Sequence, residues 1–173
     1  NLFDIEDEVK PWTPQYRNPL IVGNPYFPKD ANWKVPPLLG AEEEVIAIGK
    51  MISARPLTGR SATKRRVMAR AVRADFLFLA THGIASSDDP LTGGFLFLTA
   101  RNQSRGFWTA KEIQSLRLHA QLAVLSACQT GLGKIHDAGV IGLSRAFQIA
   151  GVPRVVMSLW SVYDKATAEL MKA

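Results

Sequence analysis

The stretch FLFLATHG at residues 76–83 decides the fold class of this chain. Its first five residues are apolar without interruption, and a strand that lacks polar alternation is typically covered on both faces, as in a parallel sheet. Residues 122–126 (LAVLS) have the same character, and residues 154–159 form a third run of this kind. Shorter apolar runs at residues 20–22 and 95–98 add two further strands. The sequence therefore predicts a sheet whose long strands are buried and parallel.

Helical patterns separate these strands. In the first of them, Glu42, Glu43 and Glu44 fall in the opening turns, where the helix dipole favours acidic side chains. Strands that alternate with helices predict an α/β fold with a mostly parallel central sheet. The predicted helices cover residues 40–54, 61–74, 109–116, 138–150 and the segment from 165 to 172.

Two of these helices begin with recognisable capping residues. Ser61 is the predicted N-cap of the second helix, because a serine hydroxyl can accept a hydrogen bond from the first free amides. Thr109 and Glu112 have the spacing of a capping box, in which each side chain bonds the other's backbone amide. Both assignments can be compared directly with a structure.

Length and composition place the chain among globular proteins. It has 173 residues, of which 47% are hydrophobic and 21% charged. Residues 1–19 are acidic and then proline-rich, which predicts a tail or linker, and residues 20–173 are predicted to form one domain. No signal peptide is expected from the first residues, and no apolar run reaches membrane-spanning length. The single cysteine cannot form an internal disulfide, which favours a reducing, cytoplasmic compartment.

The net charge of +6 is concentrated in residues 55–73, which hold seven arginine and lysine residues. A basic run of this kind can bind nucleic acid. No aromatic residue is interleaved with these charges to stack on bases, so a solvated helix face is the favoured interpretation. Nucleic acid is therefore not expected as a partner.

Reactive side chains follow two of the buried strands. His82 comes directly after residues 76–81, and Cys128 comes after residues 122–127. Ligands of open α/β sheets bind beyond the carboxyl ends of the strands, so neighbouring strands would bring these residues to one crevice. A histidine beside a cysteine can take the thiol proton and later protonate a leaving amine. The amides of Gly83 and Cys128 are predicted to form an oxyanion hole.

Four sequence strings resemble the CHAT domain family, the caspase-like domains found with TPR repeats. The His82-to-Cys128 separation is also close to the spacing of the caspase signature, in which the histidine lies about 50 residues before the cysteine. The four strings occur in the family's order and spacing, and the resemblance covers roughly residues 20–173. They are ATHG at 80–83, LSACQTG at 125–131, LSRAFQIAG at 143–151 and SLWSVYD at 158–164.

The resemblance implies a three-layer caspase-like fold, with helices on both faces of a mostly parallel sheet. It implies a cysteine peptidase whose catalytic dyad is His82 and Cys128, acting on a protein or peptide substrate. It also implies a partial domain accompanied by a TPR region, in the same or an associated chain, that binds partners or regulators. No cofactor, metal or membrane partner is expected.

The substrate-binding residues are predicted as a hypothesis. Ser126 precedes the nucleophile by two residues, Trp160 would wall the pocket for the residue before the scissile bond, and Asp164 would meet its side chain. An acidic pocket favours lysine or arginine in the substrate. Alternatively, Asp164 only caps the helix that begins at Lys165.

Three alternatives remain open from the residues. A cysteine phosphatase would need arginine six residues after the cysteine, where this chain has Lys134, which lacks the planar guanidinium fork. A CHAT-like interaction module would keep the fold without using the dyad. His119 and His136 are alternative bases, but neither of them ends a strand.

Overall fold

The computed structural model describes residues 16–29, 35–84, 89, 93–126 and 137–157, with the backbone alone for residues 137–141. The strands within this part are β1 Pro19–Pro25, β2 Leu57–Gly59, β3 Phe76–Ala80, β4 Gly83–Ile84, β5 Phe95–Phe97, β6 Phe107–Thr109, β7 Leu122–Leu125 and β8 Arg154–Met157. The α-helices are α1 Leu39–Met51, α2 Lys64–Ala71, α3 Ala110–Gln114 and α4 Asp137–Ile149.

Five of the described strands form one parallel sheet in the order β2-β1-β3-β7-β8. Strands β4, β5 and β6 form a separate antiparallel sheet. The predicted α/β fold with a mostly parallel central sheet is confirmed. The two strands that carry the reactive positions, β3 and β7, are direct neighbours.

The central sheet is covered on both faces, because its buried side chains alternate between two cores. Leu77 and Leu79 of β3 join the larger core, which also contains side chains of α2, α3 and α4. Phe76 and Phe78 join the smaller core, which contains the buried side chains of α1. The three-layer arrangement predicted from the sequence is therefore confirmed, with α1 alone on one face among the described helices.

The predicted start of the second helix is wrong. Ser61 does not cap it: its hydroxyl donates to the Thr58 carbonyl at 2.7 Å and accepts from the Thr58 amide at 3.0 Å, which closes a turn. The N-cap is Thr63, whose side chain accepts from the Arg66 amide. The capping box of Thr109 and Glu112 is confirmed, with both reciprocal hydrogen bonds present.

The last described strand differs from its prediction. Residues 154–159 are predicted as a buried strand, but in β8 the side chains of Arg154 and Val156 are exposed. The physical reason is position, because β8 is the outermost strand of the described sheet and pairs with β7 on one side. Three short strands, β2, β4 and β6, were not predicted.

Thr99 joins the small sheet to the ends of β1 and β2. Its amide donates to the Ala62 carbonyl at 3.0 Å, and its carbonyl accepts from the Lys64 amide at 3.0 Å. Its hydroxyl donates to the Gly59 carbonyl and accepts from the Tyr26 amide, each at 2.8 Å. One residue thus satisfies four hydrogen bonds to separate parts of the chain.

An ion pair connects α2 to the capping box of α3. The Lys64 ammonium lies 2.7 Å from Oε1 and 2.9 Å from Oε2 of Glu112. Burial alone would raise the pKa of Glu112, but hydrogen bonds from Lys64 and the Thr109 amide, with the Lys64 charge, outweigh it and lower the pKa. A lowered pKa means that the folded state favours the carboxylate.

Glu112→Gln should lower the free energy of unfolding at pH 7 by about 0.5 kcal/mol, the scale of a partly exposed ion pair. Glutamine preserves the capping box, so the substitution removes mainly the charge. The contribution of Glu112 is present above its unfolded pKa of about 4.3 and is lost as pH falls through the lowered folded value. Urea unfolding at pH 7 and pH 3 checks this: the variant and the wild type should converge at pH 3. Exposed Glu43→Gln is the control, and an equal loss there would contradict the assignment.

Candidate active site

The described polar side chains of the candidate site lie at the carboxyl edge of the central sheet. His82 lies two residues beyond β3, and Ser126 lies directly after β7, where its amide donates to the Leu79 carbonyl at 3.0 Å. Both residues are buried. The other predicted site residues, Cys128, Trp160 and Asp164, lie outside the described residues, as do Lys134 and His136.

The His82 imidazole is oriented by a backbone carbonyl. Its Nε2 lies 2.7 Å from the carbonyl oxygen of Pro36, and the side chain is fully buried. A carbonyl oxygen can only accept, so the hydrogen bond requires the proton on Nε2. The basic lone pair of the neutral ring is then on Nδ1. Pro36 was not among the residues singled out from the sequence, because a backbone acceptor leaves no residue-type signal.

Two aromatic rings border the imidazole. The Phe27 centroid is 5.1 Å from that of His82, and the Phe97 centroid is 6.4 Å away with its plane nearly perpendicular. Thr81 donates its hydroxyl proton to the Phe97 carbonyl at 2.6 Å, which attaches β5 beside the histidine. These contacts restrict the ring to one orientation, which is what a positioned proton acceptor requires.

Asn24 holds the segment that carries Pro36. Its backbone adopts a φ of 43°, a left-handed conformation that asparagine tolerates better than most residues. Its Oδ1 accepts from the Leu38 amide at 2.8 Å, and its Nδ2 donates to Glu42 at 2.7 Å. The end of β1 thus positions the chain that leads into α1, and with it the carbonyl that contacts His82.

Glu44 brings a buried carboxylate to the same edge of the sheet. Its side chain is 2% exposed, and its Oε2 accepts a hydrogen bond from the Ser126 hydroxyl at 3.4 Å. From the sequence, Glu44 is predicted only as one of three acidic residues favoured by the helix dipole. A detectable signal was present, because Glu44 shares the apolar face of α1 with Ala41, Val45 and Ile48. A charged residue on the apolar face of a helix is seldom exposed to solvent.

The backbone amide of Gly83 lies outside the hydrogen-bond ladder of the small sheet. Gly83 is opposite Leu96 in the β4–β5 pair, and the flanking ladder bond runs from the Phe97 amide to the His82 carbonyl at 2.9 Å. In an antiparallel ladder, that pattern directs the amide of the central residue away from the partner strand. The Gly83 N–H is therefore not used by β5.

The alternative base His119 lies at the opposite edge. It is exposed and precedes β7, whereas the candidate site follows β7. Asp89 is also exposed, as expected for a surface turn residue. Among the described residues, no cluster of three metal-ligating side chains occurs. In the same part of the chain, no helix has the length and apolarity to cross a bilayer.

A five-stranded parallel sheet between helical layers, with a fixed histidine at its carboxyl edge, defines a caspase-like α/β domain. The CHAT domain family model matches residues 5–173, and the chain belongs to that family. It is also similar to tetratricopeptide repeat protein 28 of Homo sapiens and of Mus musculus, at 29% identity over 176 residues in each case. The matched regions are 82% of this chain and 7% of each relative, so the chain spans a small part of the length of these curated relatives.

Proposed function

We propose that this chain is the catalytic core of a cysteine endopeptidase in which His82 activates Cys128. The observation that carries the proposal is the imidazole held by the Pro36 carbonyl at the carboxyl end of β3, beside β7. Membership of the CHAT family supports a peptidase-related fold.

The register of the two strands supports the pairing of these residues. Every partner pair of β3 and β7 is 46 positions apart in sequence, as for Phe76 and Leu122. His82 and Cys128 are separated by the same number of positions. Adjacent strands lie about 4.8 Å apart, so continuing this register would bring the thiol within reach of the imidazole.

The proposed reaction uses both protonation states of the His82 imidazole, neutral and protonated. Nδ1 of His82 accepts the Cys128 thiol proton, and the thiolate attacks the carbonyl carbon of the scissile bond. The amides of Gly83 and Cys128 stabilise the resulting oxyanion. The imidazolium then protonates the amine as the carbon–nitrogen bond breaks, leaving a thioester. Water, deprotonated by Nδ1, hydrolyses the thioester and restores the thiol.

Residues around the dyad are proposed to orient the substrate. Trp160 and Asp164 would form the pocket for a lysine or arginine before the scissile bond. Ser126, predicted from the sequence to bind substrate, is instead proposed to position the site, because it is buried and its hydroxyl donates to buried Glu44. The thiol chemistry suits a reducing compartment such as the cytoplasm.

Regulation is proposed to come from a TPR region that accompanies this domain. The similar proteins of Homo sapiens and Mus musculus are named for tetratricopeptide repeats, and the chain matches 7% of their length. Such repeats stack into extended binding surfaces that recruit partners. The TPR region would accordingly select the protein substrate or control access to the dyad.

Incubation with a peptide library tests the proposal, with products identified by mass spectrometry. The wild-type chain should cleave after lysine or arginine, and Cys128→Ala should abolish cleavage because no other side chain supplies the nucleophile. A thermal melt of both proteins controls for folding. Cleavage that persists in Cys128→Ala would reject the dyad. Absence of cleavage by a folded wild-type chain would reject a peptidase that acts without its TPR region and favour the interaction module.

A further inference from the structure

A basic groove opens at the carboxyl edge of the sheet, on the β2 side. It encloses about 850 Å³, and Tyr26 and Thr99 form part of its wall. The cationic side chains that line it come from the end of β2, from α2 and from the loop after β5. They are Arg60, Lys64, Arg65, Arg101 and Arg105.

The positive charge of the groove is largely uncompensated. Lys64 forms an ion pair with Glu112, and it is the one lining cation with such a pair among the described residues. The four arginines are exposed, and no acidic side chain lines the groove among the residues that the structure describes. A concave surface of one charge concentrates ligands of the opposite charge. The groove therefore favours an anionic ligand.

The groove is adjacent to the histidine of the candidate active site. Tyr26 is followed by Phe27, whose ring lies 5.1 Å from the His82 ring. Thr99 is two residues from Phe97, the second ring beside His82. The wall of the groove and the two rings beside His82 therefore belong to the same two chain segments, residues 26–27 and 97–99.

We propose that this groove binds acidic side chains of the protein substrate, on one side of the scissile bond. The inference rests on the proposed peptidase function and adds a substrate class to it. His82 follows β3, and Arg60 follows β2, two strands away in the sheet. Two strand spacings are about 10 Å, or roughly three residues of an extended peptide. The acidic residues should thus begin about three positions from the scissile bond.

A peptide fits the groove better than a polynucleotide. Single-stranded nucleic acid is bound by open aromatic faces on which bases stack. Within the described part of the chain, Tyr26 is the one aromatic residue lining this groove, and the Arg60 guanidinium already covers its ring at 4.0 Å from the centroid. The remaining arginines present separate guanidinium forks, each able to bind one carboxylate in a bidentate manner.

The test measures binding apart from cleavage. Cys128→Ala, which retains the groove, is titrated into fluorescein-labelled peptides by fluorescence anisotropy at low salt. Each peptide has a Lys-Ala scissile site and a block of glutamates or glutamines, placed three to six positions before or after it. The groove variant combines Arg101→Gln with Arg105→Gln. The charge-matched control combines Arg73→Gln with Arg117→Gln, exposed residues that precede β3 and β7 at the opposite edge.

For one of the two placements of the block, before or after the scissile site, the glutamate peptide should bind about tenfold more tightly than the glutamine peptide. The groove variant should lose about threefold to tenfold of that affinity, and the control less than about twofold. Equal binding of glutamate and glutamine peptides, or equal losses in both variants, would overturn the proposal. A single-stranded oligonucleotide that binds more tightly than the glutamate peptide, and depends on the same arginines, would also overturn it.

Cleavage by the wild-type chain is scored separately on the same peptides. Glutamate-dependent binding without any cleavage would support the groove as an acidic-peptide site and reject a peptidase that acts without its TPR region. Cleavage with no preference between glutamate and glutamine peptides would reject the groove assignment and leave the peptidase intact. The two failures are therefore distinguishable.

Discussion

His82→Gln should slow alkylation of Cys128 by a peptide electrophile at pH 7 by about 100-fold or more, the scale of a lost general base. Glutamine can still donate an amide proton to the Pro36 carbonyl, as Nε2 of His82 does at 2.7 Å. It has no basic nitrogen to accept the thiol proton. The wild-type rate should depend weakly on pH near neutrality, whereas the variant rate should rise toward about pH 8.5, the pKa of an ordinary thiol.

The matched control for this experiment is His119→Gln. His119 is exposed and precedes β7, so its substitution removes a histidine from the opposite edge of the sheet. Its labelling rate should equal that of the wild type within about twofold. Because His82 is fully buried, thermal melts of both variants must show a cooperative transition. Equal labelling of folded wild type and His82→Gln would show that the thiol is not activated by this histidine.

Gly23→Ala should lower the free energy of unfolding by about 3 kcal/mol, the upper range for overpacking a core. Gly23 lies in β1, where α1 crosses the sheet at close range. A methyl group there would be 2.7 Å from Cγ1 of Val45 and 2.8 Å from the carbonyl oxygen of Ala41. The side chain of Val45 can shift, but the helix backbone at Ala41 cannot yield without moving α1. Urea unfolding measures the loss.

A double-mutant cycle with Val45→Ala isolates the cause. By itself, Val45→Ala lowers the free energy of unfolding because it removes buried methyl groups. In the Gly23→Ala background it also relieves one of the clashes. The double variant should therefore lose less free energy of unfolding than the sum of the two single variants, by about 1 kcal/mol or more. Gly59→Ala is the control, because its added methyl meets nothing within 4 Å and carries only the strain of a φ of 50°. Additive losses in the cycle would contradict the close approach of α1.

The long strands and the fold class could be predicted because local pattern and burial agree. The run at residues 76–80 is apolar at every position, and all five side chains are buried in β3. Strand β2 was not predicted, because its three residues include a threonine and a glycine and have no clear strand pattern. Its strand conformation comes from pairing with β1. The Ser61 cap was wrong for a similar reason, since three candidate hydroxyl residues lie within 58–63 and the tertiary fold selects among them.

The candidate site could be predicted only in part. His82 was recognisable because its residue type and its place after a buried strand occur in one short string. The Pro36 carbonyl was not, because its role depends on a chain segment held by Asn24 rather than on its own side chain. Glu44 was misread because the dipole explains an acidic residue in the first turns equally well, and only its position among Ala41 and Val45 distinguishes the buried role. The roles of Cys128, Trp160 and Asp164 stay predictions.

The hydrogen-bond junction at Thr99 bears on how this domain can diverge among relatives. Its hydroxyl both donates to the Gly59 carbonyl and accepts from the Tyr26 amide, so valine, which has the same shape, would remove both of these hydrogen bonds. The arginines around it are exposed and carry no such constraint. Substitutions can therefore change the charges of the groove while the hydrogen bonds of Thr99 stay the same. Proteins with this fold could in this way acquire new substrate preferences without a change in the fold.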